Sequence, residues 1–188
     1  MRMDSDNHLQ HYFAKLTEEN RRINLVSRET IADRLPQLAA ESLAPLEILH
    51  RPHFNRYLDI GSGGGFPAIP ILLTRNIEHV TLVERTQKKA SALRRILISM
   101  NLRADIIPVT FEQFIPSDSG GYDIITMRLV KLTKSLLRRI LPLLSTGGVF
   151  VYYAQTDIDS TEDSITTTSA VFQNEQNESK YITFFYRS

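Results

Sequence analysis

Residues 57 to 66 constrain the fold more than any other stretch of the chain. They read Tyr57-Leu58-Asp59-Ile60-Gly61-Ser62-Gly63-Gly64-Gly65-Phe66, an apolar run that meets an acidic residue and enters a turn with four glycines in five positions. Glycine is required where the backbone takes positive φ or where a ligand approaches with no Cβ in the way. A purely structural tight turn needs one or two. Between a strand and a helix, such a turn presents unpaired backbone N–H groups and is expected to hold a nucleotide-like ligand.

The pattern around this turn has the matching period. Tyr57 to Ile60 reads as strand, Pro67 to Thr74 as helix, His79 to Glu84 as strand and Thr86 to Met100 as helix. Ala104 to Val109 and Tyr122 to Met127 read as strands, Leu132 to Leu144 as helix, and Gly148 to Tyr153 as strand. Strands alternating with helices indicate βαβ units and a parallel sheet covered on both faces, so the expected fold class is a doubly wound α/β sandwich. Ahead of it, residues 1–54 are expected to form a helical extension packed on a core of residues 55–188. Leu9, Tyr12, Phe13, Leu16, Ile23 and Val26 give an amphipathic helix over residues 7 to 26. A second helix spans Thr30 to Leu49, broken or bent near Pro36 and Pro45. Thr156 to Lys180 is polar and weakly specified; Tyr181 to Tyr186 recovers strand character, with a hairpin turn around Asn174 to Asn177.

Composition narrows the chemistry. The chain has 188 residues, 42% hydrophobic, enough for one domain with a sizeable core. Its 22 basic and 21 acidic residues leave a net charge of +1, so any nucleic-acid surface must come from local segregation of charge. The absence of cysteine excludes disulfides, thiolate zinc sites and thiol nucleophiles, and no metal site is expected. No segment reaches the ~18 apolar residues of a membrane span. Met1 to Asp6 lacks the apolar stretch of a secretory signal, so the expectation is a soluble cytoplasmic monomer with no membrane partner.

Twenty-five positions after Asp59, the next strand ends at Glu84. A carboxylate there can accept hydrogen bonds from both hydroxyls of a ribose, or it can be a solvated group beside Arg85. A dinucleotide fingerprint can be forced as Gly63-x-Gly65-x-x-Ala68, but Pro67 falls inside it, which makes NAD and an oxidoreductase the weaker alternative. Asp59 immediately before the glycines instead resembles the first motif of class I S-adenosylmethionine-dependent methyltransferases, with a Rossmann-like fold.

The likeness extends through Phe66-Pro67-Ala68-Ile69-Pro70, whose two prolines are unusual for the general class. The chain resembles the GidB-like family of small-subunit ribosomal RNA methyltransferases. Asn24-Leu25 with Ser27, Glu41-Ser42-Leu43, Thr81-Leu82-Val83-Glu84 and Met127-Arg128 carry the resemblance across most of residues 20 to 155. The resemblance implies S-adenosylmethionine as cofactor, bound by Asp59, Gly61, Gly63, Gly65, Phe66 and Glu84. Phe111 and Glu112 would lie at the adenine end, and Arg128 at the catalytic point where cofactor and substrate meet. Two local alternatives stay open: Phe111 as a core cap, and Arg128 in a strand-end ion pair with Asp123 or Glu84.

The implied reaction is methylation of N7 of a guanine in 16S rRNA, with free rRNA or the 30S particle as partner. N7 has an in-plane lone pair, so no general base is required. Consistent with this, no Asn-Pro-Pro-aromatic motif of exocyclic amino methylation is present, and there is no cysteine for covalent attack on pyrimidine C6. Arg85, Lys88, Arg95, Lys131, Lys134 and Arg138 fall on two helix faces that can meet phosphates. The departures matter too. Tyr153-Ala154-Gln155-Thr156 stands where the family has a lysine-glycine pair, Ala68 replaces a glycine, and the chain is shorter after Gln155. A catalytically silent RNA-binding homologue is the third reading.

Overall fold

The computed structural model describes residues 2–51, 53–116, 120–158, 163–174 and 176–188, with side chains from residue 7 onward. Among the described residues, seven strands form one sheet: β1 (Arg56–Ile60), β2 (His79–Val83), β3 (Asp105–Ile107), β4 (Tyr122–Met127), β5 (Leu144–Tyr152), β6 (Ile165–Gln173) and β7 (Ser179–Arg187). Their order is β3-β2-β1-β4-β5-β7-β6. The first five are parallel, while β7 runs antiparallel between β5 and β6. The order reverses between β1 and β4, which is the switch point where open α/β sheets bind ligands.

The helices are α1 (Arg2–Asn20), α2 (Leu35–Leu49), α3 (Ala68–Thr74), α4 (Gln87–Ser99) and α5 (Lys134–Ile140). The central strands are buried on both faces, as the continuous apolar runs require. One core packs α1 to α4 against Tyr57, Leu82, Ile124 and Val151, and the other packs α5 against Leu58, Ile60, Ile125, Phe150 and Phe185. Tyr12, Leu16, Leu35, Ala39 and Leu46 of the extension belong to the first core, so α1 and α2 share the interior of the sheet domain.

Three expectations are corrected. The first helix ends at Asn20, and Ile23 and Val26 lie beyond it. Asn20 Oδ1 accepts from the N–H groups of Leu25 (2.8 Å) and Val26 (3.0 Å), a side chain to backbone capture that turns the chain back instead of extending the helix. The helix expected to Leu144 stops at Ile140 and passes through a 3-10 turn, Leu141–Leu143, so β5 starts four residues before Gly148. The polar segment before Asn174 contains a nine-residue strand, β6, stabilised by pairing along β7. Its threonines and serine suit a half-exposed edge strand but carry little apolar periodicity. The turn lies where the polar residues suggest: Asn174 Oδ1 accepts from the N–H groups of Gln176 and Glu178.

The second helix covers the expected residues as a π-helical turn, Thr30–Arg34, leading into α2. Pro36 sits in the first turn of α2, where a missing N–H costs nothing, and Pro45 lies inside the helix.

Candidate functional site

A cavity of about 1160 Å³ runs along the carboxyl edge of the sheet. On the β1–β2–β3 side it is lined by Gly61, Ser62, Gly63, Gly64 and Phe66, by Glu84 and Arg85, and by Val109 to Glu112. In the middle lie Arg128 to Lys131. On the β5–β7–β6 side lie Tyr153 to Gln155, Phe172 and Ser179 to Ile182, with Arg34, Leu38 and Glu41 from the extension. Its volume exceeds the ~300–1,000 Å³ that holds one drug-sized ligand.

The glycine loop is built inward. Gly61, Gly63 and Gly65 have positive φ, at 80°, 50° and 101°. A Cβ at Gly61 would lie 2.7 Å from Val130 Cγ2, and one at Gly65 would lie 2.6 Å from Ile69 Cδ1. Against the expectation of unpaired N–H groups, four of the loop's donors are committed. Gly61 and Ser62 donate to the Val83 carbonyl (2.8 and 3.2 Å), Gly65 donates to the Ser62 carbonyl (2.7 Å), and Gly63 donates to Glu84 Oε2 (3.0 Å). A pyrophosphate needs such donors free, so the loop offers a shaped backbone surface instead of an anion cradle. The extension backs it: the Tyr12 hydroxyl donates to the Gly64 carbonyl (2.8 Å), and Tyr12 packs 5.2 Å from the Phe66 ring.

Asp59 and Gly65 stand behind this surface and do not line the cavity. Asp59 is buried; its Oδ1 accepts from Thr126 Oγ1 (2.6 Å), while Oδ2 is buried with no hydrogen-bond partner among the described residues. Burial pushes its pKa up to about 6 against the opposing hydrogen bond from Thr126. Burial also raises the pKa of neighbouring Tyr12, Tyr57 and Tyr153, keeping all three neutral donors.

Glu84 is buried at the end of β2. Besides Gly63, it accepts from the Thr86 N–H through Oε1 (2.7 Å), so each carboxylate oxygen is oriented and retains a further lone pair. Phe111 is buried in a 3-10 turn, 6.0 Å from Phe114, and lines the cavity as well as closing the core. Glu112 is exposed at the rim, with its carbonyl held by Arg139 (2.7 Å).

Arg128 pairs neither with Asp123 nor with Glu84. Its partner is Glu41 of α2, at 2.5 Å, with a weaker contact to the Leu38 carbonyl (3.5 Å) and the guanidinium 5.7 Å from the Tyr153 ring. Glu41 also accepts from Gln37 (2.9 Å) and Asn174 (3.3 Å) and lies 3.8 Å from Lys180. One buried carboxylate thus ties the extension, β4 and the β6–β7 hairpin together. No single stretch of sequence announces this. The signals at Glu41 are an acidic residue inside the apolar helix that begins Leu35-Pro36-Gln37-Leu38-Ala39-Ala40-Glu41 and its place in the Glu41-Ser42-Leu43 run, neither of which names a partner. Lys180, not singled out by the sequence, brings a cation to the cavity that Gln155 also lines in place of the expected lysine.

The basic residues divide. Arg85 and Lys131 line the cavity, whereas Lys88 and Lys134 are exposed outside it. Arg95 is removed from the expected phosphate-binding face by a bidentate pair with Glu19 of α1, at 2.8 and 2.6 Å. Among the described residues, no group of three His, Asp or Glu side chains could hold a metal ion, and no helix is long and apolar enough to cross a membrane.

Among solved structures, the fold is similar to an O-methyltransferase from Bacillus cereus in complex with SAH, at a TM-score of 0.66 and 15% identity, covering 94% of this chain and 90% of that one. It is also similar to a tRNA methyltransferase from Aquifex aeolicus, at a TM-score of 0.61 and 16% identity, covering 80% and 68%. The fold is that of the class I S-adenosylmethionine-dependent methyltransferases. Residues 5–187 match the family model GidB, described as rRNA small subunit methyltransferase G, and the chain belongs to that family. Curated relatives carry the same description, Ribosomal RNA small subunit methyltransferase G. One from Borrelia turicatae is 34% identical over 146 residues, covering 77% of this chain and 69% of the relative. Another, from Roseiflexus castenholzii, is 35% identical over 145 residues, covering 74% and 61%. Neither the oxidoreductase nor the silent-homologue reading is favoured by these likenesses.

Proposed function

We propose that this protein is a methyltransferase that uses S-adenosylmethionine to methylate N7 of a guanine in 16S ribosomal RNA, acting as a monomer on the rRNA or the 30S particle in the cytoplasm. The observation that carries the cofactor assignment is the pairing of Glu84 with a glycine loop whose N–H groups at Gly61, Ser62, Gly63 and Gly65 are already committed. That arrangement supports a ribose with no phosphate beside it.

The residues fit the cofactor. Gly61, Gly63 and Gly64 leave an open backbone wall, Glu84 keeps lone pairs for ribose hydroxyls, and Phe111 offers an apolar face for adenine beside Glu112. The unpartnered Asp59 Oδ2 beneath the loop supplies negative potential that favours a cationic ligand. When bound, S-adenosylmethionine supplies a methyl group on a positively charged sulfur.

The work of the chain's own residues is alignment and charge tolerance. Guanine N7 needs no proton removed before it acts as a nucleophile, which suits a cavity whose carboxylates are held by hydrogen bonds. Proximity supplies ~7–11 kcal/mol in well-oriented reactions. Arg128, fixed by Glu41 and Tyr153 between the two ends of the cavity, is positioned to orient the purine. Asp59 and Glu84 favour the positive charge as it passes to the base. Arg85, Lys131 and Lys180 at the cavity walls, with Lys88 and Lys134 further out, are available to phosphates.

The test is nucleoside mass spectrometry of 16S rRNA. Deleting the gene should remove one 7-methylguanosine, restored by the wild-type protein and not by Gly61→Arg. An unchanged nucleoside content in the deletion would sink the enzymatic reading and favour the silent homologue. Calorimetry should detect S-adenosylmethionine and not NAD; the opposite result overturns the cofactor assignment.

A further inference from the structure

Leu129, immediately after Arg128, combines an exposed apolar side chain with a backbone conformation that leucine normally avoids. The residue is 95% exposed, and its backbone lies in the left-handed region at φ 58°. That conformation is uncommon for residues other than Gly, Asn and Asp. Isolated exposed apolar residues are ordinary on protein surfaces, but this one sits on a braced turn. Arg128 is held by Glu41, the Leu38 carbonyl and the Tyr153 ring. On the other side, Val130 packs against Gly61, and the buried Leu132 donates its N–H to the Tyr152 hydroxyl at 3.4 Å. Arg128, Leu129, Val130 and Lys131 all line the cavity, at the boundary between its two ends. The fold therefore holds an apolar side chain out into water in the middle of the cavity wall.

We propose that Leu129 is an RNA wedge: its isobutyl group packs against the base next to the target guanine and holds the target out of its stack, turned toward the cavity. The proposal rests on the rRNA methyltransferase reading above. A base stacked between its neighbours cannot reach a recessed site, and enzymes that modify bases extrude them. Apolar side chains that insert at a base step offset the lost stacking. Lys131 and Arg85 on the same rim are suited to phosphates, so they fix register while the leucine acts on the stack. An uncharged wedge adds nothing to counterion release, which separates its contribution from theirs.

Leu129→Gly is the decisive variant because glycine adopts the left-handed backbone without strain, so a folding defect is not expected. With 30S particles from a strain lacking the gene, kcat/KM should fall roughly 10-fold or more in Leu129→Gly and stay within about 3-fold in Leu129→Met. S-adenosylmethionine affinity and the salt dependence of RNA binding should be unchanged. An RNA hairpin with 2-aminopurine beside the target guanine gives a readout independent of turnover. Its fluorescence should rise on adding wild-type protein without cofactor, and the rise should be lost with Leu129→Gly.

An active wild type with an indifferent Leu129→Gly in both assays overturns the wedge alone. So does a change of oligomeric state in the glycine variant, which would make the leucine a self-association contact. A wild type that leaves 30S rRNA unmethylated overturns the enzymatic reading and the wedge together.

Discussion

On the β3–β2–β1 side, the cavity wall is largely main chain: glycines at positive φ, N–H groups committed to Val83, Ser62 and Glu84, and one carboxylate oriented from two directions. On the β5–β7–β6 side, the wall is made of side chains delivered from distant parts of the chain. Glu41 gathers Arg128, Gln37, Asn174 and Lys180, and Tyr153 lies under the guanidinium with its hydroxyl on the Ser42 carbonyl. Parallel strands with short βα turns place a backbone surface reproducibly. An antiparallel hairpin docked on a helical extension places a charge network instead. The contrast predicts that the first end tolerates no added atoms and the second no unpaired charge.

On cofactor affinity, the largest effect is expected from Gly61→Ala. The left-handed backbone alone costs about 1–2 kcal/mol, and the methyl group would meet Val130 Cγ2 at 2.7 Å. S-adenosylmethionine affinity by calorimetry should fall roughly 100-fold. Retention of affinity would mean that the loop does not shape the cofactor site.

Next is Glu41→Ala, which leaves Arg128, its side chain 11% exposed, without its carboxylate. Breaking a buried pair from one side costs about 3–5 kcal/mol, to be read from urea unfolding. If the two ends are separable, the folded fraction binds S-adenosylmethionine nearly as the wild type does while rRNA methylation is lost.

Asp59 supplies a pH test of the first end. Its folded pKa of about 6 lies above its ordinary 3.8. The native state therefore holds this proton more tightly than the unfolded chain. The resulting stability is present below pH 3.8 and is lost as pH rises toward 6. Relative to Asp59→Asn, which does not titrate, the wild type should lose about 3 kcal/mol of stability between pH 3.8 and pH 7. Unfolding curves that shift in parallel for both proteins would show that Asp59 is not the titrating group.

The smallest effect belongs to Lys180→Ala. The side chain is partly exposed, and its pairs with Glu178 and Glu41 add no more than about 1 kcal/mol to stability. If Lys180 contacts a phosphate, the salt slope of 30S binding should fall by about 1, with no change in cofactor affinity. An unchanged slope would restrict Lys180 to holding the hairpin.

Legibility in the sequence follows the same division. The core strands β1, β2 and β4 were readable because burial on both faces leaves continuous apolar runs. The glycine loop was readable because positive φ restricts the residue type. β6 was not, since an edge strand of threonine and serine gains its order from pairing with β7. The end of α1 depended on the Asn20 side chain, a local competition that helical periodicity does not register. Arg128 was picked out, but its partner was not: Glu41 is 87 positions away, and ion pairs between distant elements leave no periodic trace.

Local backbone preference and burial period set the α/β class, the alternation of strands and helices and the position of the glycine turn. Tertiary structure decided which donors in that turn are spent, which cations face the cavity, and that Arg95 answers to Glu19 while Arg128 answers to Glu41. Those outcomes depend on packing between elements, where a few ångströms separate a paired charge from a free one.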